Sequence, residues 1–182
     1  MRRSTRRVRC LKRTSVYQGR VVTLIRELLE IGGMRMVRET ILHPGSVVIV
    51  PILDQSRVVL VRQYRRAIDQ DLLELPAGTL SPDESPAACA RRELEEETGL
   101  RAGRIRRIGA FYAAPGVSSE WMTMFLATDL TRTKAHPEPD ELLIPVILPL
   151  QTALAKMRSG KIRDAKSIIG LLFAERLLRR KA

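Results

Sequence analysis

The chain has 182 residues, 45% of them apolar and 29% charged. That is enough for one globular core and too much for a disordered tail or a collagen-like rod. No apolar run approaches the roughly 18 residues of a membrane span. The two cysteines, Cys10 and Cys89, cannot build a disulfide framework, which points to a reducing, cytoplasmic setting. The net charge of +12 raises nucleic acid or an anionic surface as a partner, so its placement along the chain matters.

Residues 1–14 read as a basic, flexible tail, with seven basic groups and no acid in residues 1–13. Residues 15–43 read as an N-terminal β extension. Val16 to Ile31 alternates imperfectly, Gly32-Gly33 supplies a hairpin turn, and Met34 to Leu42 runs back. His43-Pro44-Gly45 breaks the pattern, and residues 44–182 form the main domain. Ser46 to Leu53 and Arg57 to Gln63 are buried-strand runs around the turn Asp54-Gln55-Ser56. Leu72 to Leu75 is a short strand stopped at Pro76. From Ser85 to Gly99 the composition is helical, with Pro86 suited to the first turn, where its missing N–H costs nothing. Ile105 to Tyr112 and Trp121 to Thr128 are strands, and Trp121 is expected in the core. Thr131 to Asp140 is polar with two prolines and reads as a loop before a last strand, Leu142 to Leu148. Helices near Leu150–Ser159 and Lys166–Arg180 close the chain around Gly160. Strands, one helix, more strands and then helices make a mixed α/β sandwich rather than a doubly wound parallel sheet.

Besides the tail, basic residues cluster at Arg101–Arg107 and at Arg176–Lys181. The three clusters together outweigh the net charge, so the body of the chain is slightly acidic. With three Phe, three Tyr and one Trp, no basic–aromatic stripe is available for stacking bases. The balance argues against nucleic acid and against a membrane.

The chemistry is concentrated in Arg92-Glu-Leu-Glu-Glu-Glu-Thr-Gly-Leu100. On a helix, Glu93, Glu96 and Glu97 project from one side, where like charges repel. An acidic run of this kind is ordinarily a solvated face, and Arg91 and Arg92 stand close enough to neutralise part of it. Three convergent carboxylates also suit a hard divalent cation such as Mg²⁺, with Mn²⁺ as the alternative.

The wider spacing decides between these readings. Gly78, Glu84, Arg92, Glu93, Leu94, Glu96, Glu97, Gly99 and Leu100 match every specified position of the Nudix box, and the chain resembles the Nudix hydrolases. The resemblance implies an α/β/α sandwich of mixed sheets between helices, carrying an N-terminal antiparallel β extension. It implies Glu93 and Glu97 as principal metal ligands, Glu96 as a third ligand or the base, and the carbonyl of Ala77 completing the shell. Arg92 would orient the helix carboxylates by ion pairing, with Glu84 in support.

Val61-Arg-Gln-Tyr-Arg65, Glu74-Leu-Pro-Ala-Gly78 and Ala114-Pro115-Gly116 are similar to the ADP-ribose pyrophosphatase branch. There, a proline about fifteen residues beyond the box marks ADP-sugar specificity, the position of Pro115, followed here by Gly116. The resemblance further implies that Arg65 holds the substrate phosphates. Arg38 and Glu39 would read the adenine edge from the partner subunit of a homodimer; a cross-strand surface pair is the plainer account of those two. A mobile-loop glutamate, Glu141 or Glu138, competes with Glu96 as the catalytic base. The expected reaction is metal-dependent hydrolysis of ADP-ribose or a related ADP-sugar to AMP and a sugar phosphate. The alternatives are a Nudix pyrophosphatase for GDP-sugars or dinucleoside polyphosphates, and a non-catalytic nucleotide- or RNA-binding Nudix module. RNA binding would weaken steeply with salt, whereas turnover of a small substrate would not.

Overall fold

The computed structural model describes residues 8–54, 56–134 and 143–179. These fall into two compact units. The first takes the chain up to Gly45 together with Tyr112–Trp121; the second takes Ser46–Phe111 and the chain from Met122 onward.

The first unit is a three-stranded antiparallel sheet in the order β1 (Val8–Gln18), β2 (Thr23–Ile31), β3 (Met34–Leu42). β1 begins at Val8, inside the stretch 1–14 that the composition assigns to a flexible tail. The reason is visible in the register: Arg9 lies opposite Glu30 and Arg13 opposite Glu27, and Arg13 Nη2 meets Glu27 Oε1 at 2.8 Å. A basic run opposite an acidic strand is a favourable cross-strand pattern rather than a solvated tail. Across the Gly32-Gly33 turn, β2 and β3 pair without a slip from Ile31↔Met34 to Thr23↔Leu42. The segment Tyr112–Trp121 is tied to the end of β3, where Ile41 N–H donates to Val117 O at 2.8 Å and Ser119 N–H donates to Ile41 O at 2.9 Å. Trp121 is not a core residue as expected. It is 40% exposed and packs edge-on to Tyr112, ring centroids 4.7 Å apart, one position before the strand becomes buried at Met122.

The second unit is built on a mixed sheet in the order β10-β5-β4-β9-β8, with β6 added to β5 and β7 to β4. Its strands are β4 (Ser46–Leu53), β5 (Arg57–Arg65), β6 (Gln70–Glu74), β7 (Ala77–Thr79), β8 (Leu100–Tyr112), β9 (Trp121–Arg132) and β10 (Leu143–Pro149). Its helices are α1 (Pro86–Thr98), α2 (Leu150–Arg158) and α3 (Ala165–Arg179). β4 pairs parallel with β9 from Ser46↔Met122 to Pro51↔Ala127 and antiparallel with β5 and β7.

Strand periodicity explains the layers. Along β4, Val47 and Ile49 join one core with Cys89, Ala90 and Leu94 of α1, while Val48, Val50 and Ile52 join another with Leu154 of α2 and Leu171 of α3. A strand covered on both faces reads as an unbroken apolar run, and β4 is one. The result is the α/β/α sandwich that the box implies. On the α3 side, a Cβ at Gly170 would lie 2.3 Å from Leu75 Cδ1 and 3.1 Å from Val50 Cγ2, so glycine lets that helix lie close to the sheet. Among the described residues no helix is long and apolar enough to cross a membrane.

Candidate active site

Two elements leaning on β4 make the site. α1 starts at the N-cap Ser85, whose Oγ accepts Ala88 N–H at 3.2 Å, with Pro86 in its first turn. It stops at Gly99, whose N–H donates to Glu95 O at 2.9 Å. The Ala77-Gly78 stretch, just beyond the Pro76 stop, is part of the short strand β7, because β4 offers it a register of Val48↔Ala77 and Val47↔Gly78.

The helix glutamates divide by direction. Glu93 and Glu97 are buried, 9% and 3% exposed, on the face turned toward β7. Ala77 N–H donates to Glu97 Oε2 at 3.3 Å. The Glu93 carboxylate fills the space over Gly78: a Cβ there would fall 1.8 Å from Glu93 Cδ and 1.9 Å from Oε1. Any side chain at position 78 would therefore displace the carboxylate. Glu95 points elsewhere, to Arg101 Nη2 at 2.9 Å and Thr133 Oγ1 at 3.1 Å.

Arg92 sits among the remaining acids. Nε and Nη2 donate to the two oxygens of Glu84 at 2.9 and 3.0 Å, and Nη1 reaches Glu96 Oε2 at 2.9 Å and Glu93 Oε1 at 2.8 Å. These contacts, led by the Glu84 pair, raise the guanidinium well above its ordinary value against the pull of burial. Reciprocally, Glu84 is held at about 2, chiefly by Arg92 and also by Ser81 N–H. Bidentate arginine–carboxylate pairs are strong and directional, so Arg92 fixes where the helix acids stand. Cys89 lies beneath, fully buried, its thiol pushed up to about 12 by burial first and then by the charges of Glu84 and Glu93.

Arg65 ends β5 on the same face of that strand as Val59, which packs against α1. It donates through Nε and Nη2 to Glu74 at 2.9 and 2.7 Å. Those bonds raise its guanidinium, burial opposes them, and the charges of Asp164 and Glu97 add to the rise. Arg38 and Glu39 are exposed on β3 of the first unit, opposite Glu27 and Arg26. Pro115 and Gly116 occupy an exposed turn of the same unit, closed by Val117 N–H donating to Ala114 O at 3.0 Å. Glu138 and Glu141 lie outside the described residues.

Sequence reasoning gave no role to Glu74, Asp164, Lys166 or Ser167, which form a buried polar cluster beside Arg65. The available signal was a carboxylate in the otherwise apolar Leu72-Leu73-Glu74-Leu75-Pro76, since such a group needs a partner when buried.

Glu93 and Glu97 suit a hard divalent cation. Both are carboxylates on successive turns of one helix face, they flank the Ala77-Gly78 backbone, and glycine keeps the space clear. Among the described residues no three acidic, histidine or cysteine side chains already converge as a cage; Glu96 is turned to Arg92 instead. Two protein carboxylates with the balance from water and phosphate oxygens is an ordinary pattern for Mg²⁺.

Residues 42–167 match the NUDIX domain family model. The chain is 32% identical over 168 residues to an ADP-ribose pyrophosphatase of Bacillus subtilis, covering 91% of each. It is 36% identical over 134 residues to a GDP-mannose pyrophosphatase of Citrobacter koseri, covering 69% of this chain and 70% of that one. A solved structure described as an ADP compounds hydrolase superposes with a TM-score of 0.87 at 26% identity, over 100% of this chain and 99% of the other.

Gly78→Ala is expected to weaken Mn²⁺ binding, followed by calorimetry, about 10–100-fold while leaving the circular dichroism spectrum unchanged. Undiminished affinity would remove Gly78 and Glu93 from the cation site. A second expectation concerns acid. Glu84 titrates at about 2 in the folded chain against about 4.3 unfolded, so the unfolded chain takes the proton first. Its contribution is complete above about pH 5 and is lost as the pH falls toward about 2. The stability gap between wild type and Glu84→Gln, from urea melts, should be constant from about pH 5 to 8 and close below that.

Proposed function

The chain belongs to the Nudix family, and from that membership we propose that it hydrolyses the pyrophosphate bond of ADP-ribose or a related ADP-sugar, giving AMP and a sugar phosphate. The observation that carries the reading is the pair of buried carboxylates, Glu93 and Glu97, held against Ala77-Gly78 beside the Arg92 fork. A solvated acidic face would have no reason to bury them.

The cation is Mg²⁺ or Mn²⁺, which Glu93 and Glu97 would hold with the Ala77 carbonyl; Glu96 would join them only on leaving Arg92. When bound it neutralises phosphate oxygens and lowers the pKa of water toward neutrality. Arg92 keeps the helix acids apart and aimed. Arg65 supplies a planar, permanently charged fork for the substrate phosphates, and its proximity to Glu97 supports that role. The base that takes the proton of water is one of Glu96, Glu138 and Glu141. Pro115 and Gly116 go with ADP-sugar specificity by the resemblance, and Arg38 with Glu39 would read the adenine of the other subunit's substrate.

That last role requires a homodimer, and the first unit offers material for one: Val8, Val16, Met34 and Val37 are each more than half exposed on its sheet. Two free cysteines, one exposed and one buried, are in keeping with a cytoplasmic protein. The second reading, a GDP-sugar substrate, is favoured by the identity to the GDP-mannose pyrophosphatase.

Product release from ADP-ribose, GDP-mannose and a dinucleoside polyphosphate, each with Mg²⁺, separates the readings. ADP-ribose is expected to have the highest kcat/KM, and Glu97→Gln to lower it at least about 100-fold. A better GDP-mannose rate would overturn the ADP-sugar assignment while leaving the cation site intact. Light scattering should give the mass of two chains, reduced to one by Val37→Glu; a monomeric wild type would remove Arg38 and Glu39 from the site.

A further inference from the structure

Glu74 closes β6 with its side chain 1% exposed. A carboxylate so far out of water is tolerable only with cations and donors around it. Two cations reach it. Arg65 comes from β5 with a bidentate pair at 2.9 and 2.7 Å, and Lys166 comes from the first turn of α3 to the same Oε2. Lys166 Nζ also lies 3.0 Å from Asp164 Oδ2. Asp164 in turn caps α3, accepting Ser167 N–H at 3.0 Å and Ser167 Oγ–H at 2.5 Å. Ser167 Oγ accepts Leu75 N–H at 2.6 Å.

These four charges balance, but they are not equally free. The Arg65 side chain is 39% exposed, against 11% for Lys166, 17% for Asp164 and 1% for Glu74. Arg65 is the member that can leave, and its departure would ordinarily strand Glu74. We propose that Lys166 is a positioning residue for substrate binding, the counter-ion that stays with Glu74 when Arg65 turns to the pyrophosphate. With Lys166 in place, Glu74 keeps one cation whichever way Arg65 points. Without it, Glu74 has Arg65 alone and holds it back from the phosphates. The inference rests on the reading of Arg65 as a phosphate contact.

The test is the steady-state kinetics of ADP-ribose hydrolysis in a mutant cycle, with thermal melts alongside. Lys166→Met is expected to raise KM about tenfold, the scale of one charged hydrogen bond, with kcat within about twofold of wild type. Lys166→Arg should recover most of the loss. In an Arg65→Ala background, itself raised in KM, Lys166→Met should add nothing. Should Lys166→Met fold poorly, the pair Glu74→Gln with Lys166→Met removes one charge of each sign and should return KM to the wild-type value. An equal KM rise from Lys166→Met with or without Arg65, or a fall in kcat at unchanged KM, would make Lys166 a fastening of α3 only and overturn the proposal. A wild-type KM for Arg65→Ala would overturn the phosphate role of Arg65, and this inference with it.

Discussion

Four glutamates on little more than one turn of α1 repel one another, and an isolated helix of that sequence would be destabilised by them. The surroundings of α1 answer that repulsion. Arg92 takes Glu84, Glu96 and one oxygen of Glu93. Arg101 takes Glu95 outward. Glu97 is left facing the backbone N–H of Ala77. Each acid is given a direction, and the two buried ones are brought against the Ala77-Gly78 strand. A helix that is poor by local rules becomes good only within this fold, as expected where function overrides propensity.

The sheet provides the fixed reference. β4 sits between two helical layers and hands successive side chains to each, so α1 and α3 are registered against one strand. The segment Glu74–Gly78 runs across this arrangement with a contact at nearly every residue. Glu74 binds Arg65 and Lys166, Leu75 N–H binds Ser167, and Pro76 O accepts Ile49 N–H at 2.8 Å. Ala77 N–H then binds Glu97, and Gly78 yields its space to Glu93. Groups placed this way are held by rigid elements, which is what positioning a reacting phosphate requires.

Much of this was legible in the sequence. Box spacing, the Ser85-Pro86 start and the Gly99 stop of α1 are local signals, and the runs of β4, β5, β9 and β10 are apolar enough to be read. What escaped was non-local. β7 is three residues long and exists because β4 presents a partner at Val47–Val48. β1 reads as a tail from its own arginines, because the acids of β2 that lie opposite Arg9 and Arg13 are distant in sequence. Residue type alone puts Trp121 in the core, yet the strand is buried only from the next position onward. Lys166 and Glu74 are 92 positions apart, beyond any periodicity argument. Arg38, Glu39, Pro115 and Gly116, the residues proposed to read the substrate, all fall in the first unit, a grouping that chain order conceals.

The burial of Cys89 has a practical consequence for chemical modification. Thiolate, not thiol, is the species that reacts with alkylating reagents and oxidants, and a thiol pushed up to about 12 and fully enclosed supplies almost none near neutral pH. The other cysteine, Cys10, is exposed on β1. A maleimide dye or spin label therefore has one accessible attachment point in the native protein, on the N-terminal sheet. The wild-type chain carries its own single-site handle for distance and association measurements, with no need to engineer a cysteine or to remove one from the site.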